Sequence, residues 1–167
     1  MTAQPPRDSE ILFNIVLVEP EIPQNTGNIG RTCVGTNCHL HLVGQLGFEL
    51  SDKNVKRAGL DYWPYLKLSR YESYQDWFKT VPDPSRVFYF TTKTKQTYFQ
   101  PKFQQGDWFV FGKETKGLDP AIIMANPTQA VTIPMLGPVR SLNLATSVAI
   151  AAYEGIRQLS ESNVIKY

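Results

Sequence analysis

The chain has 167 residues, 42% of them hydrophobic and 19% charged, which is enough for one domain with a real core and too little for a second catalytic domain. A net charge of +2 excludes a uniformly basic coat for polyanions but not local basic patches. The opening MTAQPPRDSE has no apolar signal-peptide core and no later run has the apolar length of a membrane span, so the expectation is a soluble cytoplasmic protein without a membrane partner.

In chain order, residues 1–10 read as a flexible polar tail. ILFNIVLVE at 11–19, rich in branched residues and closed by Pro20, reads as a buried parallel strand. A helix should follow, capped by Asn25 or Thr26, with Ile29, Cys33 and Val34 facing inward. HLHLV at 39–43, RVFYFTT at 86–92, DWFVFG at 107–112 and AVTIP at 130–134 are further strand candidates. Helical segments are expected near 51–58, over 71–81 and over 119–126. This alternation predicts an α/β fold, a mainly parallel sheet with helices on both faces, in a single domain over 11–160 with a short tail at 161–167. The last long helix, expected from Ser141, is apolar on most sides and carries Ala145, Ala149, Ala151 and Ala152, small enough for close helix approach. Burial within one subunit and burial between two fit that pattern equally.

Cys33, Cys38, His39 and His41 are the only cysteines and histidines. Zinc sites of this kind draw a second ligand pair from elsewhere, so no metal is expected and the thiols read as small buried groups on the first helix and at the start of the second strand. Between Arg86 and Lys116 six basic residues face two acidic ones, and Lys53, Lys56 and Arg57 precede Tyr62 and Trp63. Each patch suits a phosphate-bearing partner with stacking bases, or is simply a solvated surface.

Three stretches concentrate the chemistry. PQNTGNIGRT at 23–32 places Asn25 near a helix entrance and Arg31 in the helix's first or second turn, where a guanidinium fork suits a phosphate; the plainer alternative is a surface arginine and a helix cap. FGKETKGL at 111–118 is superficially like a nucleotide-binding loop. However, five residues rather than four separate Gly106 from Gly112, and Glu114 stands where a magnesium-binding hydroxyl belongs. What remains is a strand-ending Gly112 that lets a ligand approach the backbone, and Glu114, which orders the first loop, accepts a hydrogen bond, or sits in a plain charged turn. SLNLATSVAIAAYEG at 141–155 offers Ser141 and Asn143 at a helix start, with Ser141 as cap, cofactor contact or both.

In this order and spacing the three stretches resemble the motifs of the SpoU branch of the SPOUT (knotted) RNA methyltransferases. RAGLDYW at 57–63 and IPM at 133–135 bring the chain close to the group that methylates the wobble nucleoside of tRNA. The resemblance spans residues 13 to 160. It implies a SPOUT fold with a C-terminal trefoil knot, a homodimer, S-adenosyl-L-methionine as cofactor, and 2'-O-methylation of cytidine or modified uridine at the wobble position of tRNA, with leucine isoacceptors as the family's substrates. Carried over residue by residue, it implies Arg31, Asn25, Glu114 and Asn143 around the reacting groups and Phe90, Gly112, Ile133 and Ser141 lining the cofactor pocket. Because guanidinium stays protonated in proteins, Arg31 fits a role in orienting phosphate and stabilising an incipient alkoxide better than one as a base. Ala145, Gly30, Lys113 and Lys116 depart from the family's usual serine, apolar residue, proline and arginine; these changes bear on RNA specificity more than on methyl transfer. The competing readings are a nucleotide- or phosphate-binding α/β protein and a non-catalytic RNA-binding relative.

Overall fold

A computed structural model describes residues 7–50 and 61–166. The helix expected near 51–58 and the basic trio Lys53, Lys56 and Arg57 lie outside the described residues. Six parallel strands form one sheet: β1 (Asn14–Val18), β2 (His39–Val43), β3 (Leu68–Tyr71), β4 (Val87–Phe90), β5 (Trp108–Phe111) and β6 (Ala130–Val131), in the order β3-β2-β1-β5-β4-β6. The helices are α1 (Pro23–Gly35), α2 (Tyr74–Phe78), α3 (Pro120–Ala125) and α4 (Leu144–Glu161). The expected strands are present, β2 over its whole expected run and the others a little shorter than theirs. β3 adds one that apolar patterning does not reveal, since LSRY is an edge strand with no fully buried position.

Because side chains alternate across a strand, the sheet has two cores. On one face Phe13, Ile15, Leu17, Leu40, Phe88, Phe90, Phe109 and Phe111 pack under α1 and α4, through Ile29, Cys33, Val148, Ala151, Ile156 and Leu159. On the other, Val16, Val43, Tyr89, Trp108 and Val110 pack against Trp77 of α2 and the region of α3. Two glycines set how closely elements approach: a Cβ at Gly155 would lie 2.5 Å from the Phe13 ring, and one at Gly30 would lie 3.2 Å from Leu66 and 3.4 Å from Tyr62. The departure from an apolar residue at Gly30 thus makes room for the turn Trp63–Tyr65 against α1.

Several expectations are corrected. The last helix starts at Leu144 rather than Ser141, and its cap is Asn143, whose Oδ1 accepts from the amides of Ala145 (2.9 Å) and Thr146 (3.3 Å). α1 starts at Pro23, with Ile22 as its cap residue, so Asn25 and Thr26 sit inside its first turn and cap nothing. Ala151 and Ala152 are buried within the subunit, whereas Ala145 and Ala149 are only partly covered. At the start of the described chain Asp8–Glu10 form a helical turn and Asp8 pairs with Lys67.

The cysteines are as expected, both free and buried, Cys33 on α1 and Cys38 before β2. Among the described residues no His, Cys, Asp and Glu group could hold a metal ion, and no helix is long and apolar enough to cross a membrane. His39 and His41 are instead part of a polar seam near the sheet edge. His41 Nε2 donates to Asn14 Oδ1 (3.0 Å), Nδ1 faces the Tyr71 hydroxyl (3.3 Å), and His39 Nε2 meets Ser69 Oγ (2.9 Å). Burial holds their pKa values at about 2 for His41 and about 4 for His39, so both are neutral near pH 7.

Candidate active site at the carboxyl ends of the strands

The three motif stretches meet at the carboxyl ends of the strands, where open parallel sheets bind their ligands. Glu114 stands on a tight turn after β5, closed by the Gly117 amide donating to the Lys113 carbonyl (2.8 Å). Its Oε2 accepts from the Glu21 amide (2.7 Å), while Oε1 accepts from the Ile22 amide (3.1 Å) and Asn25 Nδ2 (3.2 Å). Glu21 returns the contact, its carboxylate accepting from the Thr115 amide (3.1 Å) and hydroxyl (2.8 Å). Glu114 therefore supplies, from a distant loop, the negative group that the start of α1 lacks in its own sequence.

From Asn25 the network continues into the last motif: Asn143 Nδ2 donates to Asn25 Oδ1 at 2.9 Å. The direction is forced. An ionised Glu114 can only accept, so Asn25 must turn its NH2 toward it and its oxygen toward Asn143; Asn143 then turns NH2 to Asn25 and keeps its oxygen for capping α4. One acceptor-only group thus orients two amides and registers three segments that together span more than a hundred residues of sequence.

Beside this network lies a cavity of about 400 Å³, in the range of small-molecule sites. Asn25, Glu114, Asn143, Phe90, Gly112, Ile133 and Ser141 all line it. Phe90 stacks on Phe111 (4.7 Å), and Thr91, Thr132 and Ser147 add hydroxyls that the motif comparison did not single out. Gly112 lines the wall, yet the space beside its Cα belongs to the chain itself: a Cβ there would lie 2.0 Å from the Gly117 carbonyl carbon. Its missing side chain is required by the fold of the turn before any ligand arrives.

Arg31 stands apart. It does not line the cavity; it lies in the third turn of α1, its guanidinium 4.9 Å above the Tyr62 ring and 3.4 Å from Asp61, half exposed. Tyr62 is not an open stacking platform, because it is buried and its hydroxyl donates to the Gly27 carbonyl (2.5 Å). The basic run from Arg86 to Lys116 is similarly divided. Arg86 forms a bidentate pair with Asp107 at the amino ends of β4 and β5, on the edge opposite the cavity, and Lys113 pairs with Glu19 (2.6 Å). Among the described residues the ammonium groups of Lys93 and Lys116, both on the cavity wall, have no partner.

A parallel α/β sheet with three motif loops folded around a cavity at its carboxyl edge is the arrangement of a SpoU-type methyltransferase domain. The chain belongs to the SpoU rRNA methylase family, whose profile matches residues 12–153. It is 47% identical over 152 residues to the tRNA (cytidine(34)-2'-O)-methyltransferase of Burkholderia pseudomallei (strain 1106a), covering 88% of this chain and 96% of that one. It is 46% identical over 149 residues to the enzyme of the same name from Aeromonas hydrophila, covering 89% and 95%. Among solved structures, one concerned with 2-OH methylation of C/U34 on tRNA superposes with a TM-score of 0.84 at 43% identity, covering 89% of this chain and 91% of the other. The SpoU methyltransferase AviRb of Streptomyces viridochromogenes, solved with AdoMet, shares the fold: TM-score 0.78 at 24% identity, covering 92% of this chain and 59% of that one.

Proposed function

We propose that the chain transfers a methyl group from S-adenosyl-L-methionine to the ribose 2'-hydroxyl of nucleoside 34, a cytidine or modified uridine, in tRNA. The carrying observation is the convergence of Glu114, Asn25 and Asn143 on one cavity, in a chain 47% identical to a relative of that name. The cavity's chemistry fits the cofactor: Phe90, Phe111 and Ile133 offer apolar faces to a purine, and Ser141, Ser147 and Thr91 offer hydroxyls to polar groups. When bound, the cofactor would supply an activated methyl for the 2'-oxygen, its sulfonium leaving as the neutral thioether of S-adenosylhomocysteine and the hydroxyl proton passing to solvent. Phe90, Gly112, Ile133 and Ser141 hold it. Glu114, Asn25 and Asn143 fix the loops that place it in line with the hydroxyl, and Arg31 orients phosphate and stabilises the developing alkoxide.

A homodimer belongs to this reading. Arg31 lies off the cavity wall, and exposed apolar groups lie on α4 at Tyr153 and around the last motif at Leu136 and Val139. A second copy covering them would let Arg31 and the cavity share one RNA site. A cytoplasmic location, among the tRNA, and the C-terminal knot of the family complete the proposal. The test is mass spectrometry of nucleosides from tRNA incubated with the protein and methyl-labelled cofactor. Labelled 2'-O-methylcytidine or 2'-O-methyluridine at position 34 is expected; label only elsewhere, or none with correctly folded protein, overturns the reading.

A further inference from the structure

Behind the turn of residues 112–118 lies a second, larger cavity of about 1240 Å³ that shares Lys93, Lys113, Lys116 and Gly117 with the first. The far wall carries Tyr74 and Phe78 of α2, half-buried rings stacked on each other at 5.8 Å and 14°, with Leu118 and Ile122 beside them. Lys93 and Lys116, whose ammonium groups have no partner among the described residues, stand on the shared wall. The acids are accounted for: Glu19 is held by Lys113, Asp119 caps α3 through the Ala121 amide (2.8 Å), and Glu72 remains as an acceptor. Two free cations between a methyl-transfer cavity and an aromatic-walled one have the layout of a phosphate between two nucleosides.

We infer that the second cavity is an RNA subsite: a nucleotide next to the methylated one enters it, base against Tyr74 and Phe78, with the connecting phosphodiester on Lys93 and Lys116. Base–aromatic stacking gives a sequence-tolerant anchor, and the lysines give the salt-dependent share of binding. Glu72 can accept from a base amino group, as carboxylates do with cytosine. The inference rests on RNA being the substrate.

The test uses the full chain, unfractionated tRNA as RNA probe and S-adenosylhomocysteine as cofactor probe. Ala125 is exposed and lines the second cavity alone, so Ala125→Trp plugs it without touching the first. Tryptophan there should weaken tRNA binding about 5- to 100-fold, the worth of one stacked base, and leave S-adenosylhomocysteine affinity unchanged. Lys93→Ala with Lys116→Ala should lower the salt slope of tRNA binding by about 0.7, the loss of one neutralised phosphate. Wild-type tRNA affinity and salt slope in both variants overturns the subsite while the proposed function stands. If Ala125→Trp fails to fold, an unchanged slope in the lysine pair is sufficient to overturn it. Wild-type protein that binds no tRNA overturns the reading of the substrate, and the subsite with it.

Discussion

Glu114→Gln is the sharpest perturbation of the site, since it changes one atom of the group that orients the rest. The carboxylate takes two donors on Oε1 and one on Oε2. A glutamine that keeps its oxygen toward Ile22 and Asn25 must turn its NH2 at the Glu21 amide, donor against donor at a position now occupied by a 2.7 Å hydrogen bond. A hydrogen bond to a charged acceptor contributes about 1.5–3 kcal/mol, and this one is only partly buried, so about 1.5 kcal/mol is expected. For a domain of this size that lowers Tm by about 3–6 °C. If the loop must be reordered when the cofactor binds, S-adenosylhomocysteine affinity falls by up to about tenfold. Thermal unfolding followed by circular dichroism and calorimetric titration read the two effects. A Tm within about 1 °C of wild type together with wild-type affinity would refute the idea that Glu114 registers the loops, because its least costly rearrangement already loses one charge-assisted bond.

Arg31→Ala should cut methyl transfer about 100- to 1,000-fold and leave S-adenosylhomocysteine affinity unchanged, since Arg31 lies off the cavity wall; a variant keeping more than about a third of the wild-type rate sinks its assignment. Acid should destabilise the fold through the histidine seam: His41 titrates near 6.5 when unfolded and at about 2 when folded, so its contribution is complete above pH 6.5 and declines as pH falls below it. About 2 kcal/mol should be lost from this residue between pH 7 and about pH 5, and a urea midpoint that does not move over that interval would refute it. Gly155→Ala should cost about 1–3 kcal/mol, since its Cβ meets a Phe13 ring already stacked on Phe109 at 4.8 Å; an unchanged denaturation midpoint would show that the helix shifts away freely.

Much of the architecture was legible because it is written in local apolar runs: HLHLV is β2 residue for residue, and VFYF and WFVF are fully buried strands. β3 escaped because an edge strand need not be apolar. The site residues were legible as motifs, but their connections were not. No local pattern tells that the carboxylate capping α1 comes from Glu114, 92 residues away, or that Asn143 and not Ser141 starts α4. Local charge misled for the same reason. Arg86 and Tyr62 read as parts of an RNA surface until Asp107 and the Gly27 carbonyl, distant in sequence, are seen to occupy them.

The turn of residues 112–118 begins at Gly112 and closes at Gly117, so that part of the cavity wall is anchored at both ends by bare main chain. On the proposed function, recognition of a methyl donor there depends on backbone shape, which substitutions of Lys113 and Lys116, unlike one of Glu114, leave intact. Lys113 and Lys116 can therefore vary and change what the outward side of the turn meets. Conservation of cofactor and divergence of RNA preference are thereby separable on a single loop: natural variation can retune which transcripts are modified without rebuilding the means of modifying them.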